Sequence, residues 1–362
     1  MQLKNFDYIL LLTVILIACF GAVVIYSASF DPDLSFKRSF AFKQIAWILI
    51  GCFLCLVMAF IDYRFIGKIS FLLYFFIIGL LVLVIIKGSI YGGAQRWLAI
   101  GTLRIQPSEF AKIIIILVLA KYLSWDNSNK HTWRYIFFTF LISIVPLILI
   151  VKQPDLGTAL VFMPTIFILL FVSGARLKYL FILMLIGILS LPLGWFALKD
   201  YQKARILVFL NPNEDPLGSG YTVIQSKIAV GSGGLMGQGW LGGMQTRLKF
   251  LPERHTDFIF SVIGEEWGFI GALFVFSLFI IIFKRGLKVA ELAKDLYGKL
   301  VAVGIVVMIF SHVIINIGMT IGVMPITGLP LPFITYGGSI MITMMVSVGI
   351  LENIYGNRFM FS

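Results

Sequence analysis

The 362-residue chain is 60% hydrophobic and only 13% charged, and its mean hydropathy is +1.00. The charged share is roughly half that of an ordinary globular domain, which excludes soluble nucleotide-binding enzymes, disulfide scaffolds, coiled coils and disordered polymers. In a membrane chain the net charge of +12 points to cytoplasmic anchoring residues and an anionic lipid, and not to nucleic acid.

Apolar runs predict spans near 8–27, 44–61, 69–86, 107–124, 135–151, 156–174, 178–197, 258–283, 300–322 and 335–355, each near the ~20 residues that cross a bilayer. The predicted fold is an all-α integral membrane protein of about ten transmembrane helices, one polytopic unit over residues 1–362. Its large extracytoplasmic loop, residues 198–257, lies between the seventh and eighth helices. The first run follows Lys4 and is too long for a signal-peptide core, so it reads as an uncleaved helix. Cys19, Cys52 and Cys55 sit inside apolar runs as small hydrophobes. His131, His255 and His312 are far apart, and no Cys or His pair has zinc spacing.

An even number of spans places both termini on one side. The segments that would then face inward carry about 14 Lys and Arg, against about seven in the short outer loops, so both termini are expected to be cytoplasmic. That parity turns the loops after the third, fifth, seventh and ninth spans outward together. The inner segments are short and basic, with no nucleotide-binding unit.

The outer loop before the fourth span contains Arg96 and Trp97 and leads into Pro107, Ser108 and Glu109 at a helix start. Arg96 is suited to an anionic group and Trp97 to the interface. Glu109 and Lys112 share a helix face, either as a structural ion pair or as the lining of a substrate cavity. After the fifth span, QPDLGTA offers Asp155 as a helix N-cap or a functional acid.

In the long loop, GQGWLG at 237–242 matches a dinucleotide fingerprint only literally, because no strand–helix unit surrounds it. Its glycines are expected to make tight turns or to approach a ligand closely. Lys203, Arg205, Lys227, Arg247, Lys249 and Arg254 could form a rim that attracts anions. Asp257 falls at the water–lipid boundary, where desolvation raises a carboxyl toward the range of a working base. His255 beside it reads as a hydrogen-bonding scaffold or a substrate contact. Glu265 and Glu266 lie roughly 12 Å deeper along the same helix, expected to be paired or neutralised. Before the last span, Pro325, Pro330 and Pro332 with Gly328, Gly337 and Gly338 rule out a regular helix. That predicts a pocket or re-entrant segment on the side of Asp257.

Taken together, PLGSGYTVIQSKIAVGSGGLMGQG, LPERHTDFIFSVIGEEWGFIG, GLPLPFITYGGS, QPDLGTAL and GGAQRWL resemble the SEDS family of bacterial cell-wall proteins. The Arg of LPERHTDF and the FLNPNEDPLGSGY stretch resemble its elongation member more than its division or sporulation members. The resemblance implies a peptidoglycan glycosyltransferase in the bacterial cytoplasmic membrane that polymerises lipid II, working beside a class B penicillin-binding protein and other elongation-complex proteins. It implies that Asp257 is the catalytic acid group and that Glu109, Lys112 and Asp155 are the other family positions. The donor would be glycan on undecaprenyl pyrophosphate, and the reaction would invert the anomeric centre without a nucleotide. Asp257 would act as general base or as ligand to a divalent cation, magnesium or manganese. Arg96, Lys112, Arg205 or Arg254 would offset charge on the leaving pyrophosphate. A lipid II flippase and a non-enzymatic scaffold are the alternatives.

Overall fold

Runs of Leu, Ile, Val and Phe in a bilayer leave backbone polar groups no partner except one another, which selects helices. The computed structural model describes residues 6–31, 36, 39–91, 94–101, 103–125, 133–197, 200–212, 216 and 220–358. In chain order these form α1 (Tyr8–Ala28), α2 (Phe40–Phe60), α3 (Tyr63–Lys87), β1 (Ser89–Tyr91), β2 (Ala94–Ile100), β3 (Leu103–Ile105), α4 (Pro107–Trp125), α5 (Trp133–Lys152), α6 (Leu156–Val172) and α7 (Leu177–Ala197). There follow α8 (Asp200–Leu210), α9 (Tyr221–Ser232), α10 (Met244–Arg247), α11 (Ile259–Leu292), α12 (Leu296–Thr320) and α13 (Gly338–Asn357). Each of the ten predicted spans has its helix, and among the described residues seven helices are long and apolar enough on their own to cross a membrane. The chain is a multi-pass membrane protein. His131 and parts of the NPNEDPLGSG stretch lie outside the described residues.

Short polar side chains set where the helices begin. Asp7, Ser39, Asp62, Asp155 and Asp295 each accept a bond from a backbone N–H in the first turn that follows. The centre of the bundle is α12 and α13, whose most apolar windows are 83% buried, against 28% for α2 and α3 at the periphery. At the bundle end opposite Asp257, buried Asp7 binds Arg285 at 2.6 Å, and its backbone N–H donates to Glu352 at 2.8 Å. The starts of α1 and α3, the end of α13 and the α11–α12 turn meet there, with Tyr63 donating from its N–H to Asn353 and from its hydroxyl to Asp295.

Three features differ from the sequence expectation. The loop between α3 and α4 contains a three-stranded antiparallel hairpin sheet in the order β1-β2-β3. The helix expected to end near residue 283 continues to Leu292, placing Lys284, Arg285 and Lys288 on a helix. It continues because Ile282, Val289 and Ala290 stay buried while Lys284 and Lys288 point outward, an amphipathic face. Finally, α11 is broken at Gly268, whose backbone (φ +63°, ψ −156°) is not helical.

The break is closed by the glycine loop after α9. Phe269 and Ile270 donate their N–H groups to the carbonyls of Gly234 and Leu235, at 2.9 and 3.2 Å. In return Gln238 and Gly239 donate to the carbonyls of Glu265 and Glu266, at 2.9 and 3.0 Å. These bonds satisfy groups that a break at membrane depth would otherwise leave unpaired. The close approach made by GQGWLG is therefore to the backbone of α11, through the N–H groups of Gln238 and Gly239. A Cβ on Gly237 (φ +80°) would overlap the Glu266 carbonyl, whereas one on Gly239 (φ +90°) would meet nothing. Both Ala substitutions incur about 1–2 kcal/mol of backbone strain. Gly237→Ala is expected to lower the melting temperature in detergent clearly more than Gly239→Ala, because only it also disrupts the seam.

Candidate active site

Asp257 ends a turn-rich stretch immediately before α11. Its position is fixed through the main chain, because three successive carbonyls each receive a bond from elsewhere. Tyr336 N–H donates to His255 O at 3.2 Å, Thr335 Oγ1 to Thr256 O at 3.3 Å, and Asn316 Nδ2 to Asp257 O at 2.9 Å. Asn316 also donates to Leu329 O at 2.7 Å, so a single α12 side chain joins Asp257 to the proline-rich segment. That segment is non-helical and buried, with Leu329, Leu331, Phe333 and Ile334 all at 1% exposure or less. It is anchored again by Gln44, which donates to Thr335 O and accepts from Gly337 N–H. The predicted re-entrant segment is thus the packed floor of the site. Asn316→Leu leaves two carbonyls unpaired, and at about 1–3 kcal/mol for each buried group it is expected to lower thermal stability measurably in detergent.

The Asp257 side chain keeps partial access to solvent and faces Gly328, where a Cβ would lie 3.1 Å from Oδ2. Burial raises its pKa to about 6, and Glu253 adds to the rise; Arg96 and Arg205 pull it down, and Asp155 opposes them weakly. The structure therefore brings Arg96, Arg205 and Asp155 into the electrostatic neighbourhood of Asp257. His255 stacks on Phe40 at 4.6 Å between centroids, and burial holds its pKa below the ordinary histidine value. Arg254 donates from Nε to Ala28 O at the end of α1.

Arg96, on β2, donates to the carbonyls of Gln153 and Pro154 and lies 3.7 Å from Asp155. Asp155 is more than a cap for α6. Its carboxylate accepts from Thr158 N–H and Oγ1, Ser108 Oγ and Gln106 Nε2, joining α6 to the start of α4. One turn further into α4, Glu109 and Lys112 pair at 2.8 Å and are 2% and 1% exposed. Lys112 also meets His312 Nε2 at 2.7 Å. His312 Nδ1 lies 3.1 Å from Pro330 O, and donating there leaves Nε2 as acceptor for the ammonium.

His312 and Asn316 are therefore buried polar positions beside the candidate site that the sequence reading did not select. Their signal was spacing: two polar side chains four apart in an apolar helix share a face. Glu265 and Glu266 are likewise explained by contacts. Glu265 accepts from Gln245 N–H and from Thr246 N–H and Oγ1, and Glu266 accepts from Ser27.

A family whose members are described as cell cycle proteins matches residues 7–358. The chain belongs to the SEDS family. It is 40% identical to the peptidoglycan glycosyltransferase MrdB of Escherichia coli K12, covering 99% of this chain and 95% of that protein. It is 42% identical to stage V sporulation protein E of Bacillus subtilis, covering 96% of each. A solved chain from a peptidoglycan synthase complex, described as coordinating polymerisation and crosslinking, superposes with a TM-score of 0.83 at 34% identity, over 98% of both chains.

Among the described residues, no group of three or more His, Cys, Asp and Glu side chains could hold a metal ion. Magnesium is commonly held by one or two carboxylates together with substrate phosphates. Asp257 fits that donor set as a single protein ligand to an ion that arrives with a pyrophosphate.

Proposed function

We propose that the chain is a peptidoglycan glycosyltransferase that polymerises lipid II on the outer face of the bacterial cytoplasmic membrane, with both termini cytoplasmic. The observation that carries this reading is Asp257: a carboxylate at the start of a membrane helix, fixed by Asn316 and held near pKa 6. Full-length similarity to proteins named for this activity supports it. The elongation role rests on the LPERHTDF and FLNPNEDPLGSGY stretches. A class B penicillin-binding protein is the proposed partner, supported by the similarity to a chain from a synthase complex.

In the reaction, the 4-hydroxyl of an acceptor GlcNAc attacks the anomeric carbon of the donor MurNAc. As that C–O bond forms, Asp257 takes the hydroxyl proton and the bond to undecaprenyl pyrophosphate breaks, inverting the centre. No covalent sugar–enzyme intermediate is needed, and the lipid pyrophosphate supplies the driving force. Arg205 and Arg96 lie where their charge lowers the Asp257 pKa, and the same charge favours the departing pyrophosphate. Alternatively, Asp257 would hold a magnesium or manganese ion instead of acting as the base, and that ion would supply neutralisation of the leaving group. Gln106 ties the start of α4 to Ser339 and to Asp155, and the buried Glu109–Lys112–His312 cluster holds Pro330 of the floor.

Purified protein with lipid II in detergent is expected to yield glycan polymer. A flippase acts only across a sealed membrane and a scaffold makes no product, so absence of polymer from correctly folded protein would refute the reading.

A further inference from the structure

A cavity of about 590 Å3 runs between α1 and α2, lined by Cys19, Val23, Tyr26, Ile45 and Leu49 among others and roofed by Trp240 of the glycine loop. We infer that this groove holds the polyprenyl chain of a lipid-linked substrate; the inference rests on the glycosyltransferase reading and assigns that substrate a place. Among the described residues no charged side chain lines the groove, and that lining suits hydrocarbon. From Ala28 at the end of α1, Cys19 lies nine residues back, about 14 Å along the helix. That is about half the ~30 Å hydrocarbon thickness, so the groove serves one leaflet, the one that carries Asp257.

Its upper end favours a chain bearing an anionic head. Tyr26 packs against Trp240 and Phe36, with centroids 5.9 and 6.0 Å away, an aromatic rim of the kind found at the interface. Immediately above it, Arg254 binds the carbonyl of Ala28. Phe40, which opens α2, stacks on His255 and lies beneath exposed Lys43 at 5.7 Å. The groove therefore rises to two cations and to the segment that ends in Asp257. A hydrocarbon chain seated in it would deliver its pyrophosphate to that segment.

Val23 and Leu49 line the groove from exposed positions, so Trp at either fills it without disturbing the packed interior. Val23→Trp and Leu49→Trp are expected to raise KM for lipid II about tenfold, about 1.4 kcal/mol of binding, with kcat little changed. Leu72→Trp, 70% exposed on α3 outside the groove, is expected to leave both constants as they were. A second measurement needs no turnover. Replacing Cys52 and Cys55 by Ala leaves Cys19 as the sole thiol, and Asp257→Asn is added to silence catalysis. In phospholipid nanodiscs, undecaprenyl pyrophosphate is expected to slow alkylation of Cys19 by a membrane-permeant maleimide. Inorganic pyrophosphate and dioleoyl phosphatidic acid are expected not to do so. Unchanged alkylation, or equal protection by phosphatidic acid, overturns the assignment and leaves an ordinary phospholipid as the occupant. Protection of Cys19 together with no polymer from the protein with Asp257 intact would keep the groove and sink the catalytic reading; polymer from that protein without protection of Cys19 would do the reverse.

Discussion

Asp257→Asn is expected to lower polymer formation by about 10²–10⁴-fold, the usual contribution of a positioned acid–base group, while the protein stays folded. The contacts that fix residues 255–257 run through their carbonyls, so they survive the substitution. Asn keeps the shape of the side chain, and only the proton acceptor is lost. The pH profile provides an independent check. A base works in its ionised form, and burial has raised the Asp257 pKa to about 6. The ionised fraction therefore falls as pH drops below about 6, so wild-type kcat/KM is expected to rise through that pH and level off above it. Residual activity of the Asn variant should lack that step. Polymerisation by the variant at the wild-type rate would remove Asp257 from the chemistry.

The largest stability loss is expected from Arg285→Met, at the other end of the bundle. Asp7 is 1% exposed, and Arg285 is its ion-pair partner. Removing one member of a buried pair strands the other charge, at about 3–5 kcal/mol; because the Arg285 side chain is 19% exposed, the lower end of that range applies. Asp7→Asn should cost much less, since the charge it strands, Arg285, is 19% exposed and an amide oxygen still caps Leu10 N–H. The double variant should recover much of the loss of Arg285→Met, as expected for coupled neighbours. Thermal unfolding of the four proteins in one detergent measures this directly. Equal losses from both single variants, with no recovery in the double, would show that Asp7 carries no buried charge dependent on Arg285.

The spans were legible because each is a long apolar run, and a bilayer admits few other solutions. Asp257, Asp155 and Arg96 were legible as charged residues at predicted helix starts or in outer loops. The connections among them were not. Arg96 reaches Asp155 across 59 positions, and Asn316 reaches Asp257 across a similar distance in sequence. Such pairings depend on which helices become neighbours, which hydropathy does not encode. His312 looked like an isolated histidine because its partners, Lys112 and the Pro330 carbonyl, come from α4 and from the segment after α12. The glycine loop was misleading in a different way. Its composition announced a close approach, but the partner was a broken helix that nothing in the run 258–283 announced except Gly268 itself.

That seam makes the outer loop and the interrupted helix a single cooperative unit. The amides of Gln238, Gly239, Phe269 and Ile270 share one set of cross-bonds, and hydrogen–deuterium exchange is expected to show the four protected to a similar degree. Anything that grips the loop from outside consequently stiffens a segment within the bilayer, and anything that flexes α11 at Gly268 loosens the roof above Asp257's leaflet.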